Sequence, residues 1–184
     1  MPVMNRAATG AAIAIALILV TVCVAAPIMG RGQRMRGEDL SVGRLETVSV
    51  LAYPAPEWIR RRGVNRDDLA VMLRRRMTEA GIPVVDEPDD EVPTLKIVIL
   101  DAEHQPADDP KRGFCVHLTL EQRVHVERLD RKLNLPTWST LHLGVVAPDD
   151  VNEGVKAGLK QVMDHFLKMN RIATGEIKAW EKGW

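Results

Sequence analysis

The sequence predicts an α/β fold of the α+β kind. It reads as a two-layer sandwich in which a mixed, mostly antiparallel sheet of about four to five strands carries two helices on one face, preceded by an N-terminal hydrophobic helix. Three observations predict it. Residues 114–126 and then 138–146 alternate apolar and polar side chains with period two, the pattern of a long antiparallel hairpin with one wet face. The stretches after Asn65 and after Pro148 repeat their apolar residues at helical spacing. Ahead of all of these, residues 7–30 carry no charged side chain.

That N-terminal stretch sets the compartment. At about 1.5 Å per helical residue it is long enough to span a bilayer, and it follows Arg6. Its apolar run over residues 11–22, with small residues at Ala25 and Ala26, is equally the layout of a cleavable secretory signal. A cut after Ala25 places Cys23 and Ala25 at the small-residue positions, and a cut after Ala26 leaves Pro27 beside it. Val22 precedes Cys23 where lipid attachment wants a small residue. Arg31, Arg34 and Arg36 follow the segment, which by charge alone would keep the domain in the cytoplasm. A short amino terminus with one basic residue before the first apolar segment is instead the arrangement of exported chains. The expected location is the cell envelope, exported to the periplasmic side or anchored in the inner membrane.

The remaining elements follow in order. Residues 1–30 are the signal peptide or transmembrane anchor, and residues 31–45, rich in Gly and Arg without sustained period, read as a linker. The α/β domain is expected over residues 46–170, with a charged tail over 171–184 that carries Trp180 and Trp184. Val48, Val50 and Ala52 share one face of a first strand that Pro54 and Pro56 end. Asn65 is placed to cap a helix whose stripe is Leu69, Met72, Leu73, Met77 and Ala80, and Gly81 stops it. Residues 82–85 and 95–100 are apolar strands on either side of an acidic loop, the second apolar on both faces as a central strand is.

In the hairpin, Phe114, Val116, Leu118, Leu120, Val124 and Val126 form one face of the first strand. A turn is expected over residues 130–136, and Ser139, Leu141, Leu143 and Val145 are expected on the apolar side of the second strand. Pro148 and Asp149 open a last helix with Val151, Val155, Leu159, Val162 and Phe166 on one face.

One core is all that 184 residues at 46% hydrophobic content comfortably build once the N-terminal segment is set aside. Lys plus Arg and Asp plus Glu each number 25, which removes the electrostatic reason to expect nucleic acid as a partner. Cys23 and Cys115 leave the folded domain a single thiol, so it closes no internal disulfide.

Thr137, Trp138 and Ser139 at a strand start, Gly144 later in that strand, and a final helix with Val155, Leu159, Val162, Asp164, Phe166 and Asn170 resemble a group of small uncharacterised exported bacterial proteins. The likeness extends loosely back through the helix exit at Ala80, Gly81 and Ile82. In outline the group is similar to the small α/β domains of envelope assembly lipoproteins. The resemblance implies export and fold, and it brings no activity or catalytic residue with it.

Candidate chemistry is sparse. Cys115, His117, His125 and His142 fall on the polar faces of the hairpin strands, but matching those faces across the turn sets His142 opposite Glu121 or Arg123. His117 is then at least four positions, about 13 Å, away, too far to share an ion. No metal site, cofactor site or catalytic set is therefore assigned. Cys115 with His117 lacks the surroundings of an activated nucleophile, and Asp101, Glu103 and His104 precede a turn marked by Pro106 and Pro110. No glycine-rich loop joins the first strand to the first helix, which argues against a nucleotide cofactor. The basic triplets Arg60, Arg61, Arg62 and Arg74, Arg75, Arg76 are the expected interaction surface, facing an anionic lipid, a phosphate or an acidic patch.

The sequence thus predicts a non-enzymatic binding or assembly module of the envelope, with the membrane met through residues 7–30 and an unidentified protein as partner. The alternative is a small hydrolase-like envelope enzyme, which would bring Asp101, Glu103, His104, Cys115 or His117 together in a deep pocket.

Overall fold

The computed structural model describes residues 35–86, 90–101 and 111–183. The apolar segment 7–30, with Cys23, and the pair Glu103 and His104 lie outside the described residues, as does Trp184. No helix among the described residues is long and apolar enough to cross a membrane.

The fold is α+β. Its sheet has five strands in the order β2-β1-β3-β4-β5, namely β1 (Val48–Ala52), β2 (Val84–Val85), β3 (Thr94–Asp101), β4 (Arg112–Val126) and β5 (Arg131–Val146). β1 pairs in parallel with β2 and β3, while β3 with β4 and β4 with β5 are antiparallel, so the sheet is mixed. Four α-helices accompany it among the described residues: α1 (Gly37–Leu40), α2 (Glu57–Arg60), α3 (Arg66–Glu79) and α4 (Val151–Glu181).

Local chemistry sets the helix ends. The Asn65 Oδ1 accepts a hydrogen bond from the Asp67 amide at 3.1 Å, which satisfies one orphan donor of the first turn of α3. At its other end Gly81 takes φ +79°, the Gly81 amide donates to the Thr78 carbonyl and the Ile82 amide to that of Met77. That pair of bonds closes the helix in a Schellman motif, for which a residue without Cβ is the ready choice. Leu69, Leu73 and Met77 bury the α3 stripe as the periodicity predicts, together with Leu95, Ile97 and Ile99 of β3 and Val116, Leu118 and Leu120 of β4.

α4 is longer than expected. Residues 171–181, read as part of a tail, are its last turns, because Ala173 is fully buried and Ile177 packs beside Gly43. The described part of the expected linker is likewise packed: α1 forms, Val42 is fully buried, and Asn170 donates from Nδ2 to the Val42 carbonyl at 2.6 Å. The Arg44 amide donates to Thr174 Oγ1 and its guanidinium pairs with Glu181. The turns of residues 35–45 and the last turns of α4 thus cover each other's apolar sides, which neither segment's own periodicity reveals.

The hairpin departs most from expectation. Its turn is a tight 3-10 turn at Glu127–Leu129 closed by Asp130 at φ +47°, a conformation that Asp tolerates better than most side chains. Residues 131–136, expected as turn, are therefore strand, interrupted by a bulge opposite Leu120 and Glu121. The register this fixes pairs Val116 with His142 and Leu118 with Thr140.

Candidate interaction surface

The register decides which face of β5 meets the helices. Because Phe114, Val116, Leu118 and Leu120 point toward them, their partners Gly144, His142, Thr140 and Trp138 do so as well. His142 is thus opposite Val116, not Glu121 or Arg123, and Ser139, Leu141, Leu143 and Val145 lie on the open face rather than the covered one. The bulge makes this one-residue inversion: the pairs nearest the turn, from Val126 with Arg131 to Glu121 with Pro136, would if continued unbroken set Leu141 opposite Val116, and the extra residue after Pro136 moves every later partner by one.

The covered face tolerates the smaller set because α4 lies close to it. A Cβ on Gly158 would stand 2.7 Å from the His142 ring, and one on Gly144 would run into the ring of Phe114. The phenylalanine leans across from β4 and fills the space that Gly144 leaves. Trp138 closes the other end of the contact, edge-on to Phe166 at 5.2 Å between ring centres and stacked on His165 at 5.8 Å.

On the open face the rows across β3, β4 and β5 grade from polar to apolar. Lys96 is paired with Glu121, and Lys96, Thr119 and Ser139 form one row. Val98, His117 and Leu141 form the next, then Leu100, Cys115 and Leu143, and finally Gly113 with Val145. Leu100 is 47% exposed, Leu141 57%, Leu143 72% and Val145 69%. These four, with Val98 and Cys115 between them, make one apolar patch at the end of the sheet away from the hairpin turn. β5 is the outer strand of the sheet among the described residues, and its residues 137–146 hold no Lys, Arg, Asp, Glu or Pro. Charges and prolines are the usual guards of an exposed edge.

The titratable groups singled out in the sequence are spread apart. His117 and His142 stand on opposite faces of the sheet, and His125 lies 3.6 Å from Asp130 beside the turn. Burial pushes the Cys115 thiol up from its ordinary pKa, which favours the thiol over the thiolate that a nucleophile needs. Asp101 ends β3 opposite Phe114. A cavity of about 630 Å³ is lined by Pro54, Arg60, Gly63, Val64, Asn65, Arg66 and Asp68.

The two arginine triplets occupy different places. Arg60 ends α2 and Arg61 and Arg62 follow it in the turn, while Arg74, Arg75 and Arg76 lie on the last turns of α3, about 12 Å along that helix from its start. Most have acidic or aromatic company. Arg61 pairs with Glu57, Arg74 with Asp86, Arg75 with Glu79 at 3.7 Å, and Arg76 with Asp164 on α4. The Arg62 guanidinium lies 5.9 Å from the centre of the Trp58 ring, over which Arg112 also sits at 5.1 Å.

No protein-family model matches the chain, and no curated protein does either. Three solved structures are similar in outline. A PelC variant from Paraburkholderia phytofirmans, solved as a dodecamer, is 9% identical over 68% of this chain and 88% of its own, with a TM-score of 0.41. A minor lipoprotein from Acinetobacter baumannii is 12% identical over 71% and 90%, with a TM-score of 0.31. The rare lipoprotein B of Shewanella oneidensis is 12% identical over 72% and 98%, again with a TM-score of 0.31. Likeness this low transfers neither partner nor assembly state to this chain.

Proposed function

We propose that this protein is an envelope module that works by binding rather than catalysis. Residues 7–30 hold it at a membrane or lead it across one, and the open face of its sheet is offered to a protein partner. The observation that carries the reading is the inversion on β5. Leucines 141 and 143 and Val145 stand in water while Thr140, His142 and Gly144 face the helices. A sustained apolar patch on a rigid sheet is the ordinary mark of an interaction site. The uncharged segment 7–30 supports the envelope location, on the periplasmic side or at the inner membrane. The Thr137, Trp138 and Ser139 strand start supports grouping the chain with small exported bacterial proteins.

Two measurements in a bacterial host test this. A C-terminal alkaline phosphatase fusion is expected to be active and the corresponding fluorescent fusion dark, since the domain is exported; the reverse result would remove the periplasmic reading. A photo-crosslinking residue at Leu143 is expected to give a discrete protein adduct in cells, and the same residue at the exposed Lys160 of α4 is expected to give none. Equal labelling from both positions would sink the open face as the binding surface.

A further inference from the structure

Among the described residues the outer strands of the sheet are β2 and β5, and most of their length is guarded. β2 has only two residues and Asp86 follows it. Near the hairpin turn β5 carries Arg131, Lys132, Pro136 and the bulge. Short strands, charges, prolines and bulges are the devices that keep a sheet edge from pairing with another chain. Residues 137–146, past the bulge, have no charged side chain and no proline.

The register fixes which main-chain groups this stretch offers. The Tyr53 amide donates to the Ile97 carbonyl at 3.0 Å and the Ser49 amide to that of Pro93 at 2.8 Å, so Ile97 turns its N–H and C=O toward β1. Its neighbours Lys96 and Val98 therefore bond β4, through Thr119 and His117. Between those two, Leu118 turns its groups the other way, to Thr140 of β5. Continued along β5, this alternation points the N–H and C=O of Ser139, Leu141, Leu143 and Val145 at the outer edge. The same four carry their side chains on the open face and are exposed. Just before them the Thr137 carbonyl accepts a hydrogen bond from Ser41 Oγ at 3.1 Å. For residues 139–145 the described residues supply no such cover.

We propose that a second copy of this chain adds its β5 to this edge, antiparallel and across a two-fold axis at His142, so that the two sheets become continuous. The proposal rests on the binding reading above and names the partner. A two-fold axis normal to the sheet keeps every side chain on its own face, so each residue opposes one an even number of places away. With the axis at His142, Leu141 opposes the copy's Leu143 and Ser139 the copy's Val145, and all four outward residues exchange their main-chain bonds. On the helix side Thr140 opposes the copy's Gly144, small against small, where α4 meets β5 through Gly154 and Gly158. No charge in the stretch meets its own image, the ordinary obstacle to self-pairing. On the open face the row of Leu100, Cys115 and Leu143 runs on into the copy's Leu141, so the two apolar patches join. This self-match is what selects a copy over an unrelated strand: one axis pairs every outward group of the unguarded stretch.

The test uses the full chain in a mild detergent. Analytical ultracentrifugation at micromolar concentration is expected to give a dimer. Leu143→Lys is expected to raise its dissociation constant about tenfold or more with an unchanged circular dichroism spectrum, and Val145→Lys to repeat the effect should the first variant fold poorly. In a Cys23→Ser, Cys115→Ser background, His142→Cys is expected to form a disulfide between copies under mild oxidation. Facing residues at such a position stand about 4.5 Å apart between Cα atoms, within disulfide range. Lys160→Cys on α4 is expected to form none. A dimer that survives both lysine variants has its copies meeting elsewhere and overturns the proposal. One that is lost with them but never forms the His142→Cys disulfide overturns the axis. A monomer whose Leu143 position crosslinks a different protein in cells overturns the second copy and keeps the binding surface. A monomer that crosslinks nothing from that position removes the proposal and the binding reading together.

Discussion

β4 and β5 are partners in one hairpin, yet they dispose of their apolar side chains in opposite ways. On β4, Phe114, Val116, Leu118 and Leu120 face the helices and are buried, while Cys115, His117 and Thr119 take the open side. On β5 the large aliphatics Leu141, Leu143 and Val145 take the open side, and the helices rest on His142, Gly144 and the edge-on Trp138. The difference separates two uses of the hydrophobic effect. β4 spends its apolar area on folding, and β5 leaves part of its own exposed on the open face.

The comparison is broken most directly by paired truncations. Leu118→Ala removes a fully buried side chain from the centre of β4 and is expected to destabilise the chain by about 2 to 5 kcal/mol. Leu143→Ala, 72% exposed in the free domain, is expected to change stability by less than about 0.5 kcal/mol. Urea denaturation in a mild detergent reads both. Comparable losses would mean that the open face is covered within the chain itself, and the division between the strands would fall.

A sharper version asks why β5 can present small residues to α4. Gly144 makes room for the Phe114 ring, so Gly144→Ala is expected to cost about 1 to 3 kcal/mol by overpacking. Shortening the ring in the double variant with Phe114→Leu is expected to recover part of that loss. If the double variant is no better than the sum of the two single ones, the contact is not what limits position 144.

Much of this arrangement was legible in the sequence, and the failures share one physical origin. Strands β1, β3 and β4, the Asn65 cap and the Gly81 exit were readable because local pattern and local chemistry decide them. The side of β5 was not, because it depends on a bulge that the alternation itself does not mark. Residues 130–136 read as turn-forming, whereas Asp130 in the left-handed region closes a shorter turn, and the bulge after Pro136 then shifts every later pair by one. The last turns of α4 were missed for a related reason. Ala173 and Ile177 are apolar only toward Gly43, a contact over a long sequence separation that no window of the chain contains. For the exposed apolar patch, the signal was present and misassigned: the apolar alternation of Leu141, Leu143 and Val145 was read as core.

The clasp between the first described residues and α4 gives an intermediate expectation. Asn170→Ala removes the 2.6 Å bond to the Val42 carbonyl, at about 0.5 to 1.5 kcal/mol. Hydrogen exchange should show faster exchange confined to residues 36–44 and the last turns of α4. Exchange that quickens equally across β4 would mean that these segments belong to the same cooperative unit as the sheet.

The smallest effect concerns the arginines that the sequence put forward as the interaction surface. Arg76 and Asp164 join α3 to α4, with their side chains 31% and 51% exposed. Water screens such a pair, so Arg76→Ala is expected to alter stability by about 0 to 1 kcal/mol. The buried Arg76 Nε has no hydrogen-bond partner, and its removal offsets part of the lost attraction. A loss of several kcal/mol on denaturation would make the ion pair a principal link between the helices. A neutral result, accompanied by weaker crosslinking to the partner from Leu143, would instead return the second triplet to the binding surface. In that case the partner would reach both the open sheet face and the helix side of the domain.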